Sequence, residues 1–541
     1  MRFPGIMTVV ACLCLAGICM AEDSLKEIDQ VFQAYDKPGS PGCSLGVIRN
    51  GDFVYRRGYG LGSLELNVPL SSTSVFYMGS VSKQFTAASV VLAAEQGRLS
   101  LDDDVRKYIP ELPDYGHVIT LREMLHHTSG FRDFLSLFGL ADRDAGGVHQ
   151  EAELIDLIAR QKALNNVPGE EYIYSNTNYF LLGVVIRRAT GKSLAEFANE
   201  NIFRPLGMTH TRFYDDHTLV MPGRVAAYAT GSDGSFKVDW STEYDTVGGG
   251  GLMSSVDDLL LWDKNFYENK LGTGTLVREL EMQGRLNNGR KIDYALGLEI
   301  SSYRGLPIVE HSGALDGYRT EILRFPDQRF SVVTLCNVAN ANVTALARKV
   351  ADVYLGGALH AEESTAGAAA DYPDPSRFAG KYLDPKNQFV YTFEASGNTL
   401  KAWGSDLRRL GPNQFHDLGT GVITFEESGS AIQSTLVMDG NVFFKGDRVT
   451  PPHLGEADLT AYEGKYLSTE INATYQVEAK NGSLEIRLKW NPPIKLEPLA
   501  PDEFECQELG TIVFKRDAQG RIPELRVYDV RARGIEFDRE K

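Results

Sequence analysis

The spacing of apolar positions changes character along this 541-residue chain. From Gln84 to Gln96 the run QFTAASVVLAAEQ places Phe85, Ala88 and Leu92 on one helical face and stops at Gly97, so Ser80 is expected at a helix N-terminus. Tyr179 to Ile186 predicts a second helix ending near Gly191. A capping box from Thr120 to Glu123 opens a shorter helix, and Val343 to Tyr354 predicts another. Between these lie alternating segments. Gly42–Ile48 and Phe53–Tyr59 predict a hairpin turning at Asn50-Gly51. Leu306–Gly313, Tyr318–Arg324 and Phe330–Val338 predict an antiparallel meander with a turn at Pro326-Asp327. Beyond residue 372 helix signals become rare, and short alternating strands with Gly or Asn turns take over.

That tail repeats itself. Phe378-Ala379-Gly380-Lys381-Tyr382-Leu383 recurs as Tyr462-Glu463-Gly464-Lys465-Tyr466-Leu467, and at the same 84-residue offset Ser396-Gly397-Asn398 answers Lys480-Asn481-Gly482. Leu418-Gly419-Thr420 answers Leu509-Gly510-Thr511 after extra residues. Each unit suits a small antiparallel barrel of about eight strands. His360 to Asp371 is small and polar, as a linker should be. The N-terminus, with Arg2, an apolar run from Ile6 to Cys19 and then Met20-Ala21, reads as an export signal cleaved after Ala21. The expected organisation is a signal over 1–21, an α+β domain over 22–358, a linker over 359–372, and barrels over 373–450 and 457–541.

Composition narrows the partners. The formal charge is −17, and loss of Arg2 with the signal makes it −18. So acidic a chain disfavours nucleic acid and anionic membranes, and no later segment has the apolar length to cross a bilayer. Cys43, Cys336 and Cys506 survive signal removal; the first two sit in strand-like runs that leave room for one disulfide, not a full framework.

The candidate chemistry begins at Ser80-Val81-Ser82-Lys83, the only Ser-x-x-Lys in the chain. A helix N-terminus offers unpaired N–H groups to a developing oxyanion, and Lys83 lies one turn on, on the same face as Ser80. A serine hydroxyl attacks only when a neighbour takes its proton. Tyr174-Ser175-Asn176 stands before the second helix, and His311-Ser312-Gly313 closes the first strand of the meander. Tyr267-Glu268-Asn269 and His453-Leu454-Gly455 match the same short patterns, but lie in a charged helical face and a Pro-Pro segment respectively. Adjacent His126 and His127 point different ways on a helix, so packing explains them better than a metal site. No metal or organic cofactor is suggested.

The order Ser-x-x-Lys, Tyr-x-Asn, His-x-Gly over about 230 residues resembles the penicillin-recognising serine hydrolases, which include class C β-lactamases, DD-peptidases and D-aminopeptidases. Leu125 to Phe131 (LHHTSGF) and the Gly248–Gly251 turn into Leu252-Met253-Ser254-Ser255 agree with that family. Followed by two barrels, the layout is similar to that of D-aminopeptidases. The resemblance implies a β-lactamase/transpeptidase-like α+β catalytic domain, with an antiparallel sheet, flanking helices and an all-α part, followed by two lipocalin-like barrels. It implies Ser80 as nucleophile, Tyr174 as base with Lys83 as electrostatic partner, and an oxyanion hole from the N–H groups of Ser80 and Ala314. Asn176, His311, Ser312 and Gly313 would bind substrate. Chemistry alone leaves Lys83 and Tyr174 both open as the base, since burial favours a neutral lysine and a close ammonium favours a phenolate. A His at position 311 carries no permanent charge at pH 7, which disfavours a dedicated β-lactamase. The expected activity is that of an exported peptidase or amidase acting on D-amino-acid-containing peptides. An esterase or weak β-lactamase on the same site, and a penicillin-binding sensor without turnover, are the alternatives. The expected partner is a small peptide, amide or ester; oligomeric state is open.

Overall fold

The computed structural model describes residues 25–142, 148–239, 245–360, 372–416, 421–438, 441–489 and 491–541. The expected signal, nearly all of the linker and Leu418-Gly419-Thr420 lie outside the described residues. The described chain falls into two compact units: residues 25–131, 148–156 and 166–360 in one, and 132–142, 157–165 and 372–541 in the other. The short stretches around Arg132 and Gln161 thus pack with the C-terminal residues, which sequence patterning did not signal.

The first unit runs through β1 (Cys43–Arg49), β2 (Asp52–Tyr59), α1 (Ser82–Glu95), α2 (Asn176–Thr190), α3 (Val256–Glu268), β3 (Glu299–Tyr303), β4 (Leu306–Leu315), β5 (Tyr318–Phe325), β6 (Phe330–Cys336) and α4 (Val343–Leu355). Its six-stranded sheet has the order β3-β4-β5-β6-β1-β2, all antiparallel. The β1–β2 hairpin turns on Asn50 and Gly51, both at positive φ, as the Asn-Gly pair predicts. Pairing of β1 with β6 sets Cys43 opposite Cys336, and the two are joined in a disulfide; the remaining described cysteine, Cys506, is buried. One sheet face packs α4, whose Leu346, Ala347, Val350 and Ala351 share a core with Leu45, Val47 and Val332.

Helix α1 differs from its expected one-sided burial. Every residue from Ser82 to Ala93 is buried, because α1 packs against α2 and further helices on several sides at once. Small residues such as Ala87, Ala88 and Ala93 permit that close approach.

In the second unit the strands Gly464–Ser468 through Ile535–Arg539 form a closed eight-stranded barrel, sealed where Tyr466 and Leu467 pair with Arg539 and Asp538. The preceding repeat forms a nine-stranded sheet whose two ends, Ser405–Asp406 and Arg408–Arg409, are neighbours in sequence, so it is a nearly closed barrel. The 84-residue repeat is physical. Tyr382 donates its hydroxyl to Phe378 O at 2.9 Å, and Tyr466 repeats the bond to Tyr462 O at 2.9 Å. The segment beginning at Arg132 is held within this unit. Its guanidinium donates to Glu470 at 2.5 Å and to Arg533 O at 2.7 Å, while Gln161 donates to Glu470 O at 3.1 Å.

Candidate active site

The site is assembled where α1 begins. Gly79 holds φ at +52°, and a Cβ there would lie 2.6 Å from Ala314 N, so only glycine lets the turn before Ser80 approach β4 so closely. Gly313 mirrors it: a Cβ there would lie 2.1 Å from Met78 O and 3.0 Å from Ser80 N. Thr320 Oγ1 on β5 clamps the same turn by donating to Met78 O at 2.8 Å. The backbones of Ser80 and of Gly313–Ala314 are therefore neighbours, although more than two hundred residues separate them.

Lys83 is fully buried. Its Nζ lies 3.0 Å from Ser80 Oγ, 2.8 Å from Asn176 Oδ1 and 2.7 Å from Gly249 O. The amide and carbonyl oxygens only accept, so they take two of its N–H groups, and the third direction faces the serine hydroxyl. With Oδ1 accepting from Lys83, Nδ2 is the donor end of the Asn176 amide. The same Nζ stands 4.7 Å from the ring centroid of Tyr174 and 5.7 Å from that of Tyr179. The glycine run makes this convergence sterically accessible. A Cβ on Gly248 would lie 2.3 Å from Tyr179 O, and one on Gly249 would lie 3.3 Å from Asn176 O.

Tyr174 is positioned by the stretch that follows the capping-box helix. His127 O accepts from Ile173 N at 2.9 Å, and His127 Nδ1 accepts from Ser175 N at 3.1 Å. The imidazole also faces Tyr174 with ring centroids 4.3 Å apart. Ser129 donates to Asn178 Oδ1 at 2.5 Å, tying the same stretch to the first turn of α2. His127 is thus a brace beside the site.

His311 is 3% exposed, with Nδ1 2.7 Å from Ser312 O and Nε2 3.0 Å from the Tyr294 hydroxyl. Burial, aided by the charge of Lys83, pushes its pKa down to about 3, so the ring is neutral at physiological pH. Burial likewise lowers His126 to about 4 and raises the phenols of Tyr179 and Tyr294 well above their usual value. Ser312 and Ala314 alternate with these buried positions and are exposed. Together with Gly313, Arg319, Asn340 and Asn342 they line a pocket of about 320 Å³.

Ser80, Lys83, Tyr174, Asn176 and the strand from His311 to Ala314 are therefore gathered in one place. The competing matches are not: Asn269 is the left-handed cap that ends α3, and His453 lies in the segment joining the two barrels. Sequence reasoning passed over Tyr294, whose ring also packs 4.7 Å from His127. No periodicity or spacing marks it, because its role depends on two distant histidines.

The sequence profile described as Beta-lactamase matches residues 28–355. Penicillin-binding protein 4* of Bacillus subtilis (strain 168) is 30% identical over 334 residues, covering 59% of this chain and 73% of that protein. A D-aminopeptidase of Cereibacter sphaeroides (strain ATCC 17029 / ATH 2.4.9) is 29% identical over 472 residues, covering 85% of this chain and 87% of the relative. Among solved structures, the D-amino acid amidase of Ochrobactrum anthropi SV3 has a similar fold, with a TM-score of 0.53 at 20% identity, over 62% of this chain and 99% of that one.

Proposed function

The chain belongs to the Beta-lactamase family, and from that premise we propose that it is an exported serine acyl-hydrolase that cleaves amide bonds in peptides containing D-amino acids. The observation that carries this reading is the buried Lys83 ammonium, bound at once to Ser80 Oγ and Asn176 Oδ1 and resting 4.7 Å from the Tyr174 ring. In this mechanism Tyr174 takes the Ser80 proton, its phenolate favoured by the neighbouring cation. Ser80 Oγ attacks the substrate carbonyl, and the oxyanion is received by the N–H groups of Ser80 and Ala314. One such donor is worth about 3 kcal/mol of the barrier. Tyr174 returns the proton to the leaving amine, and water then hydrolyses the acyl-enzyme. Asn176 Nδ2 donates to the acyl side of the substrate, and the exposed faces of Ser312 and Ala314 border the leaving-group side.

The D-amino-acid preference is supported by the D-aminopeptidase relative, whose match covers 85% of this chain. A neutral His311 leaves that strand position without a permanent cation for a substrate carboxylate, which favours a peptide amide over a β-lactam. Export is supported by the Cys43–Cys336 disulfide, a linkage that persists in oxidising compartments, and by the apolar N-terminal run.

A panel of D-Ala-p-nitroanilide, a p-nitrophenyl ester and nitrocefin, assayed on the parent and on Ser80→Ala, tests the proposal. Cleavage of the anilide should be fastest and should fall by about 10⁴-fold or more in Ser80→Ala. Equal rates in the two proteins would remove Ser80 from the mechanism. Preference for the ester would make the protein an esterase, and a single stoichiometric burst without turnover would make it a sensor.

A further inference from the structure

We propose that Tyr294 is a positioning residue for this reaction, acting through His311 to hold the strand Ser312–Gly313–Ala314 against Ser80. The inference rests on the serine-hydrolase reading above, and its geometry can be followed bond by bond. The Ser312 carbonyl only accepts, so the proton it receives at 2.7 Å belongs to His311 Nδ1. A neutral imidazole with its proton on Nδ1 presents a lone pair at Nε2. The group 3.0 Å away, the Tyr294 hydroxyl, must therefore donate. Both partners are kept in the required state by burial: the imidazole resists protonation and the phenol resists ionisation.

The chain of bonds thus runs from the Tyr294 hydroxyl to Nε2, and from Nδ1 to the Ser312 carbonyl. That carbonyl shares a peptide plane with Gly313 N, so fixing its direction fixes the plane from which Gly313 and Ala314 continue. A Cβ on Gly313 would lie only 3.0 Å from Ser80 N, so any rotation of this plane moves the oxyanion side of the site directly. Tyr294 also touches the opposite wall. Its ring lies 4.7 Å from His127 and 6.1 Å from Tyr174, centroid to centroid. Three residues on, Gly297 packs so tightly beneath α1 that a Cβ would lie 2.6 Å from the Lys83 carbonyl carbon. The segment Tyr294–Gly297 therefore abuts all three motifs and forms a fourth element of the site. Removing only the hydroxyl would leave Nε2 buried with an unmet lone pair and the ring without its anchor, loosening its hold on the Ser312 carbonyl.

The test uses the full-length protein labelled with ¹⁵N-histidine, with His311 assigned by comparison with His311→Gln. In the parent, His311 should remain the Nδ1–H tautomer from about pH 5 to about pH 9. In Tyr294→Phe the ring should stay Nδ1–H, as the Ser312 carbonyl requires, but the Nε2 resonance should move on losing its donor, while kcat falls about tenfold and KM stays within about twofold. The same substitution in a His311→Gln background should cost much less, because the route through His311 is already gone. An Nε2–H or charged His311 in the parent overturns the proposal even if Tyr294→Phe fails to fold. So does an equal cost of Tyr294→Phe in both backgrounds. Retained activity in Ser80→Ala would instead overturn the hydrolase reading and leave the tautomer result standing.

Discussion

Lys83 and Arg132 are both buried basic residues, one in each unit, and they meet different partners. Arg132 meets a carboxylate: its guanidinium pairs with Glu470, the two side chains being 2% and 0% exposed, and it also donates to backbone carbonyls of Arg533 and Gly534. Three oxygens bonded to Lys83 Nζ belong to a hydroxyl, an amide and a backbone carbonyl, and the Tyr174 ring stands 4.7 Å away. A buried charge closed on its counter-ion holds chain segments together. On the reading proposed above, Lys83 instead directs its charge at Ser80 and Tyr174, and the difference separates a fastening from a reactive centre.

The largest effect expected from this comparison is on rate. Lys83→Met should lower kcat/KM by about 10³-fold or more while the protein still unfolds cooperatively, read from the substrate panel and from calorimetry. Arg132→Met should do the reverse, since it strands Glu470. It should cost about 3–5 kcal/mol of stability in denaturant titration, with kcat of the folded fraction little changed. A collapse of kcat in a fully folded Arg132→Met protein would break the distinction.

Next comes the Cys43–Cys336 bridge, which joins strands of the first unit from positions 293 apart in sequence. Reductant should lower stability by about 2–4 kcal/mol and shift the melting transition to lower temperature. The smallest effect concerns acid. The pKa of His311 is depressed in the folded state, so the unfolded chain binds a proton below about pH 6.5 while the folded one stays neutral until about pH 3. Its contribution to stability is present above pH 6.5 and is lost as pH falls toward 3. Between pH 7 and pH 5 that amounts to about 2 kcal/mol, and the loss should be absent in His311→Gln melting curves.

Legibility in the sequence followed the range of the forces involved. The hairpin at Asn50-Gly51, the capping box at Thr120–Glu123, the end of α2 at Gly191 and the meander were readable because each depends on neighbours a few residues apart. The motif residues were readable because their types and order matched a known arrangement. The repeat was visible as self-similarity, and the paired tyrosine bonds of the barrels account for it. The all-round burial of α1 was not legible, since its apolar spacing marks one face and the other faces are covered by small residues and by the segments that happen to surround it. The placement of Arg132 and Gln161 beside Glu470 was equally hidden, because no local pattern says which distant carboxylate a cation will meet.

By itself the sequence determined the local grammar: where helices start and stop, where strands turn, where the tail repeats, and which side chains are candidates for chemistry. Tertiary structure alone decided that Gly79 and Gly313 touch, that Gly249 supplies an oxygen to Lys83, and that Tyr294 meets His311. The reason is physical. Dihedral preferences and short-range hydrogen bonds act within a turn of chain, whereas contact between residues hundreds of positions apart is set only when the whole core packs to a single density.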